Sequence, residues 1–176
     1  MNKFTASKLD KVTLNIGAGE AGQKLANAKD LLSKVTGKNP VITRARKRNP
    51  SFKVRKGDEI GVKVTLRGKT ALDVLKRGLE SIDNVLKERS FDLGGNVSFG
   101  IKEYIDFPGM KYDPKIGMMG FDICVTLSKA GKRISVRKIN ARRLPLKQRV
   151  SRNEAMEFFK ALGVKLMTKA EEEEAY

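Results

Sequence analysis

Between Ile60 and Arg67 the chain alternates with a period of two: Ile60, Val62, Val64 and Leu66 are apolar, and Gly61, Lys63, Thr65 and Arg67 lie between them. An extended strand puts these two series on opposite faces, one to bury and one to leave in water. The same alternation marks Lys11–Ile16, where Val12, Leu14 and Ile16 are interleaved with Lys11, Thr13 and Asn15. It recurs in Phe121–Lys129, with Phe121, Ile123, Val125 and Leu127 sharing a face, and Val97–Glu103 has the length of a further strand. Pro40–Arg46 completes the set, and its opening proline suits an edge or first position, where no N–H is needed.

Helical spacing fills the gaps. A glycine-rich turn, Gly17–Gly22, leads into a helix from Gln23 to Val35 with Leu25, Ala28, Leu32 and Val35 on one stripe and Gly37 as its left-handed stop. A second helix is expected from Ala71 to Glu88, with Leu72, Leu75, Leu79, Ile82 and Leu86 inward and Thr70–Asp73 as a variant capping box. Ser151–Glu154 is a full capping box for a last helix that ends near Leu162, before Gly163. Lys47–Glu59, with Asn49-Pro50 and Lys56-Gly57-Asp58, reads as a long hairpin loop, and Phe107–Gly120 as irregular.

The order β-α-β-β-α-β-β-α predicts an α+β fold: an antiparallel sheet of about five strands with helices packed on one face. One domain over residues 1–176 accounts for the length, with a basic extension at about 130–152 and an acidic tail at 169–176. The face away from the helices then gathers Thr13, Asn15, Arg44, Arg46, Lys63, Thr65 and Arg67, with no acidic residue expected across these three strands. A face polar only for solubility would mix the two signs. This one offers donors to phosphates, sugars and base edges, and so reads as an RNA-facing surface.

Charge supports that reading. Lys and Arg number 37 against 20 Asp and Glu, a net +17 that disfavours compaction unless a polyanion neutralises it. Nine basic residues, from Arg44 through Arg46, Lys47, Arg48, Lys53, Arg55, Lys56 and Lys63 to Arg67, are opposed only by Asp58 and Glu59, and Phe52 among them is a platform for stacking. Ten more lie between Lys129 and Arg152 with no acid, among them Arg137, Lys138, Arg142 and Arg143. A block of like charge this dense is expected to be loosely ordered until RNA binds. About eight phosphate contacts would give a salt slope of roughly −6 to −7.

Other classes fare worse. With no histidine, histidine-based triads and most zinc sites are excluded, so no metal or cofactor is expected. The single Cys124 excludes an internal disulfide, suits a reducing cytoplasmic setting, and is expected to be packed or half-buried in its apolar run. Nothing resembles a spanning helix or a basic amphipathic membrane helix, and Met1–Lys11 lacks an apolar signal stretch, so no membrane partner is expected. Gly17-Ala-Gly19-Glu-Ala-Gly22 is a literal dinucleotide fingerprint, but the acidic ribose partner is missing and Val41–Arg44 stands there instead. Arg44 would suit a 2′-phosphate, which keeps a nucleotide reading open. The turn's backbone and helix N-terminus would serve an RNA phosphate equally. Gly68-Lys69-Thr70 lacks the upstream glycine of a P-loop, and no catalytic constellation stands out.

Several segments together resemble the universal large-subunit ribosomal protein L-five family. They are Lys11–Gly17, Thr36–Arg46, Phe52–Arg55, Ile60–Gly68, Phe99–Glu103, Phe107-Pro-Gly and Met119–Asp122, in the family's order over roughly residues 9–164. The resemblance implies a protein of the central protuberance that binds 5S rRNA, attaches it to large-subunit rRNA, touches P-site tRNA and has other ribosomal proteins as neighbours. Carried over, it implies 5S rRNA contacts at Asn15, Thr36, Lys38, Thr43, Arg44, Lys63, Thr65 and Arg67. The loop would face tRNA, with Lys47, Arg48, Lys53, Arg55 and Lys56 as its basic residues. The Lys132–Arg152 block is similar to the archaeal or eukaryotic branch rather than the bacterial one. Its Arg137, Lys138, Arg142 and Arg143 are assigned to rRNA on charge, as is Arg46 on the sheet.

Overall fold

The computed structural model describes residues 6–19 and 22–167; the acidic tail at 169–176, and Glu20 and Ala21 of the glycine-rich turn, lie outside them. Strand β1 (Lys8–Gly17) is followed by α1 (Gln23–Thr36), β2 (Val41–Arg44), β3 (Glu59–Leu66) and α2 (Lys69–Glu80). Then come β4 (Val85–Lys87), β5 (Asn96–Ile101), β6 (Phe121–Ser128), the short α3 (Arg133–Val136), α4 (Arg152–Ala161) and β7 (Lys165–Met167). Five strands form one antiparallel sheet in the order β2-β3-β1-β6-β5. The α+β expectation holds, with β2 on the edge where its proline pointed.

The alternation decides which face is buried. Val12, Leu14 and Ile16 of β1 meet Val62, Val64 and Leu66 of β3 and Ile123, Val125 and Leu127 of β6 in one core. Helix α1 covers β3 with Leu25, Ala28, Leu31, Leu32 and Val35; α2 lies over β1 with Val74, Leu75 and Leu79; α4 meets β5. Close packing leaves no room for a Cβ at several glycines, two of them where α2 and β3 meet their neighbours. A Cβ on Gly78 of α2 would run into Ile123 Cδ1, and one on Gly61 would stand 2.7 Å from the Ile16 carbonyl oxygen.

Four points differ from the sequence reading. Helix α2 stops at Glu80 instead of running to Glu88, because Asp83 and Asn84 both take left-handed backbone, φ 54° and 57°, which short polar side chains tolerate. Leu86 is buried as expected, but in β4, which pairs in parallel with β7 through Leu86 and Leu166. Thr70 does not cap α2: the helix begins after Gly68, and the Thr70 hydroxyl donates to the Arg67 carbonyl at 3.1 Å. Cys124 is not in the core; it lies on the exposed parity of β6, between buried Ile123 and Val125.

The last helix starts as its capping box dictates. The Glu154 amide donates to Ser151 Oγ at 3.4 Å, and Glu154 Oε2 accepts from the Ser151 amide at 3.0 Å. The other oxygen of Glu154 accepts from Lys129 at 2.6 Å, and that lysine's side chain is 4% exposed. Partial burial alone would raise the Glu154 carboxyl, but the Lys129 and Ser151 donors hold it below the usual glutamate range.

Leu14→Ala should cost about 3–5 kcal/mol in urea unfolding, the range for a large-to-small core truncation. Lys63→Ala, on the opposite face of the neighbouring strand, should stay within about 0.5 kcal/mol. Equal losses would contradict the assignment of faces. Because the folded carboxyl of Glu154 is depressed, its contribution is present above the ordinary value near 4.3 and is lost as pH falls through and below that range. The stability gap between wild type and Glu154→Gln should therefore narrow between about pH 5 and pH 3.

Candidate nucleic-acid interface

The outer face is built from pairs fixed by register. Thr13 stands opposite Thr65, Asn15 opposite Lys63, and Val41 opposite Lys63 from the other side. Lys63, Thr65 and Arg67 are exposed, and Thr13, Asn15 and Thr43 are half-buried beside them. The structure thus brings Thr13, Asn15, Thr43, Lys63 and Thr65 onto one surface, as the alternation requires, with Arg67 just beyond the end of β3. Hydroxyl, amide and ammonium groups lie side by side there, about 5 Å apart from strand to strand.

The face is not free of acid, and this corrects the sequence reading. Strand β3 begins one residue early, at Glu59, and a bulge between Thr43 and Arg44 sets Arg44 opposite it. Arg44 Nη2 and Glu59 Oε1 are 2.9 Å apart. That pair is exposed on the Arg44 side and holds the guanidinium only weakly. A second acid, Asp122, stands opposite Asn15 on β6. The outward positions of β6 and β5 carry Asp122, Cys124, Thr126, Ser98 and Gly100 and no Lys or Arg. The outer face is therefore divided into a basic half over β2, β3 and β1 and a neutral to acidic half over β6 and β5. Burial and then Asp122 push the Cys124 thiol up, away from the reactive thiolate.

The β2–β3 loop is an ordered finger. Its base is closed by the Ala45 amide on the Asp58 carbonyl at 2.8 Å and the Gly57 amide on the Ala45 carbonyl at 2.9 Å. Near the tip, Asn49 and Val54 exchange two backbone bonds, of 2.9 and 3.1 Å, around a single 3-10 turn, Pro50–Phe52. Asp58 accepts from the Arg55 amide at 2.7 Å, so that acid serves the loop's own shape. Arg46, Lys47, Arg48, Lys53, Arg55 and Lys56 are all exposed, and Phe52 is 77% exposed. Between the finger and the glycine-rich turn lies a cleft of about 670 Å³, bounded by Gly19, Lys24, Arg46, Lys47 and Phe52. The turn's own amides are less available than its sequence suggested, since Ala18 and Gly19 both donate to the Ile60 carbonyl, at 3.0 and 3.1 Å.

Thr36 and Lys38 sit at the α1–β2 junction rather than on the sheet. The Thr36 hydroxyl donates to the Leu32 carbonyl at 2.6 Å and accepts from the Lys38 amide at 3.3 Å, while Lys38 is exposed. The basic extension is tied down at its two ends. Gln148 Nε2 donates to the Ala130 carbonyl at 2.8 Å, Lys132 pairs with Asp10 at 2.6 Å, and Val150 is buried. Its middle, with Arg137, Lys138, Arg142 and Arg143, is exposed along with Val136, Ile139 and Leu146.

Several residues of this surface escaped the sequence reading. Lys11, opposite Thr126, adds charge to the outward face of β1, and its place in the alternation could have shown it. Val41 is 61% exposed beside Lys63; no sequence signal marks an apolar side chain on a basic face. Asp10 holds both Arg67 and Lys132, at 2.7 and 2.6 Å, and no spacing rule connects three residues so far apart. Among the described residues no cluster of candidate metal ligands forms, and no helix is long and apolar enough to cross a membrane.

Comparison with known proteins agrees with this architecture. Residues 2–55 match the family Ribosomal protein L5, and residues 59–165 match the ribosomal L5 family C-terminus. A large ribosomal subunit protein uL5 from Methanoregula boonei is 45% identical over 152 residues, covering 86% of this chain and 92% of that protein. The uL5 of Pyrobaculum aerophilum is 46% identical over 90% of this chain and 89% of its own length. That of Sulfurisphaera tokodaii is 47% identical over 91% of each. The matched segments interleave, with β1 from the first lying between β3 and β6 of the second. With both segments matched across nearly the whole chain, in the archaeal form of the sequence, this chain belongs to the ribosomal protein L5 family.

Proposed function

We propose that this constituent of the large ribosomal subunit binds 5S rRNA on the basic half of its outer sheet face and helps attach that RNA to large-subunit rRNA. In the same reading, the finger reaches P-site tRNA with Lys47, Arg48, Lys53, Arg55 and Lys56. The observation that carries the proposal is the register that sets Lys63 and Thr65 beside Asn15 and Thr13, with Arg44 and Arg67 at the margins. A strand lattice fixes the spacing of these donors before binding, so the backbone that carries them need not be ordered by the RNA. A strip of alternating cation, hydroxyl and amide suits an RNA backbone with its 2′-hydroxyls better than it suits a small anion. Thr36, Lys38 and Thr43 extend the strip toward the α1–β2 junction. Arg46 continues it into the finger. The extension's Arg137, Lys138, Arg142 and Arg143 are assigned to rRNA.

The reaction classes that need a nucleophile or a metal find no support in the family, whose members are ribosomal proteins. The role is one of binding, and the measurable quantity is selectivity against salt.

Titration into labelled 5S rRNA at about 50 and 200 mM salt, with tRNA and duplex DNA as competitors, tests it. Selective binding should persist at the higher salt. Arg44→Ala and Lys63→Ala should each weaken it by about 1 kcal/mol or more and lower the salt slope by about one unit apiece. Neutralising Lys47, Arg48 and Lys53 together should leave 5S selectivity in place while weakening tRNA competition. Equal binding to every polyanion, collapsing with salt, would refute the proposal.

A further inference from the structure

Asp10 occupies the bulge of β1, where the register slips between Leu9 and Lys11. From there it reaches two cations that belong to different parts of the proposed RNA surface. Its Oδ1 accepts from Arg67 Nη1 at 2.7 Å, and its carbonyl accepts from the same nitrogen at 3.4 Å. Its Oδ2 accepts from Lys132 Nζ at 2.6 Å. Arg67 follows β3 at the margin of the basic face, and Lys132 opens the basic extension. In a chain of net +17, two such cations repel unless an anion stands between them. The Asp10 side chain is 20% exposed, less than either partner at 62% and 38%. Partial burial would raise its carboxyl, but Lys132 and Arg67 hold it below the usual aspartate range, so the anion is the stable form.

We infer that Asp10 is a positioning residue for RNA binding: by clasping Arg67 and Lys132 together it fixes the basic extension against the sheet, so that both present one continuous surface to the RNA. This deepens the proposed function and rests on it. The far end of the extension is held by the buried Val150, packed against Gly95 just before β5, whereas its beginning is tied to β1 through Lys132. Gln148 to Ala130 closes its own stem, and Arg142 N to the Ile134 carbonyl, at 3.1 Å, is internal to it. Lys129, paired with Glu154, anchors only its first residue to α4. The Asp10–Lys132 bond joins the body of the extension directly to β1. Removing a negative charge from a strongly basic protein should strengthen its hold on a polyanion, whereas breaking the clasp should weaken it.

The test compares Asp10→Asn, which keeps the shape and an acceptor oxygen, with Asp122→Asn, the same charge change on the same sheet outside the clasp. With 5S rRNA as the probe, Asp10→Asn should bind about three- to tenfold more weakly, the range that two partly exposed ion pairs supply. Asp122→Asn should bind as well as wild type or more tightly, and Asp10→Glu, which retains the charge, should recover most of the affinity. Hydrogen exchange on the free protein gives a readout that does not need RNA. The Ser135, Arg137 and Arg142 amides should exchange faster in Asp10→Asn and in Lys132→Gln, with no further gain in the double variant. Asp10→Asn binding as tightly as Asp122→Asn, with the extension still protected, would overturn the inference. Failure of wild type to select 5S rRNA would sink the proposed function, yet the exchange comparison would still decide whether the clasp exists.

Discussion

The structure depends on β1 being paired on both sides. This strand enters first in the chain yet lies at the centre of the sheet, with β3 on one flank and β6 on the other. Its Val12 and Leu14 are fully buried and Ile16 nearly so. At about 1.5–3 kcal/mol for each such side chain, losing the burial of this one strand would remove an amount comparable to a domain's whole net stability of order 10 kcal/mol. The same pairing makes the surface. Once the apolar parity of β1 faces the helices, Thr13 and Asn15 must face outward beside Thr65 and Lys63. Core and candidate interface are the two faces of a single alternation, so neither can be moved without the other.

A chain this basic must also place its few acids with care. Glu154 neutralises the buried Lys129 and caps α4, Asp113 pairs with Lys34 and ties the 102–120 loop to α1, and Asp58 shapes the finger. Asp10 keeps Arg67 and Lys132 together. Glu59 is the exception: it sits on the basic face itself, paired with the exposed Arg44. Not every cation belongs to the candidate interface. Arg77 donates to the Pro108 carbonyl and stands 4.5 Å over the Phe107 ring, a packing role that charge counting alone would miss.

The legible parts of the fold were those with strong periodicity or local chemistry. The central strands followed from alternation, α1 from its stripe and its Gly37 stop, and α4 from Ser151 and Glu154. What escaped depends on long-range or competing effects. The stripe through Ile82 and Leu86 is satisfied equally by a helix and by a turn leading into β4, and only Asp83, Asn84 and the distant β7 decide between them. Cys124 was misplaced because its apolar run outweighed its parity. The outer face looked free of acid because Glu59 fell just outside the expected strand and a bulge turned Arg44 toward it. The basic character of the site was readable from charge, whereas its confinement to three of five strands needed the sheet order.

Lysine acylation followed by mass spectrometry, on the free protein and on its complex with 5S rRNA, tests the central claim most directly because it reports which face is covered. The account predicts that Lys63 and Lys11 on the outer face, with Lys38 at its margin, lose reactivity in the complex, while Lys29 of α1, Lys76 of α2 and Lys160 of α4, exposed on the helical side, keep theirs. Protection of the helical lysines with Lys63 still reactive would show that RNA binds the other face, and the account would be wrong.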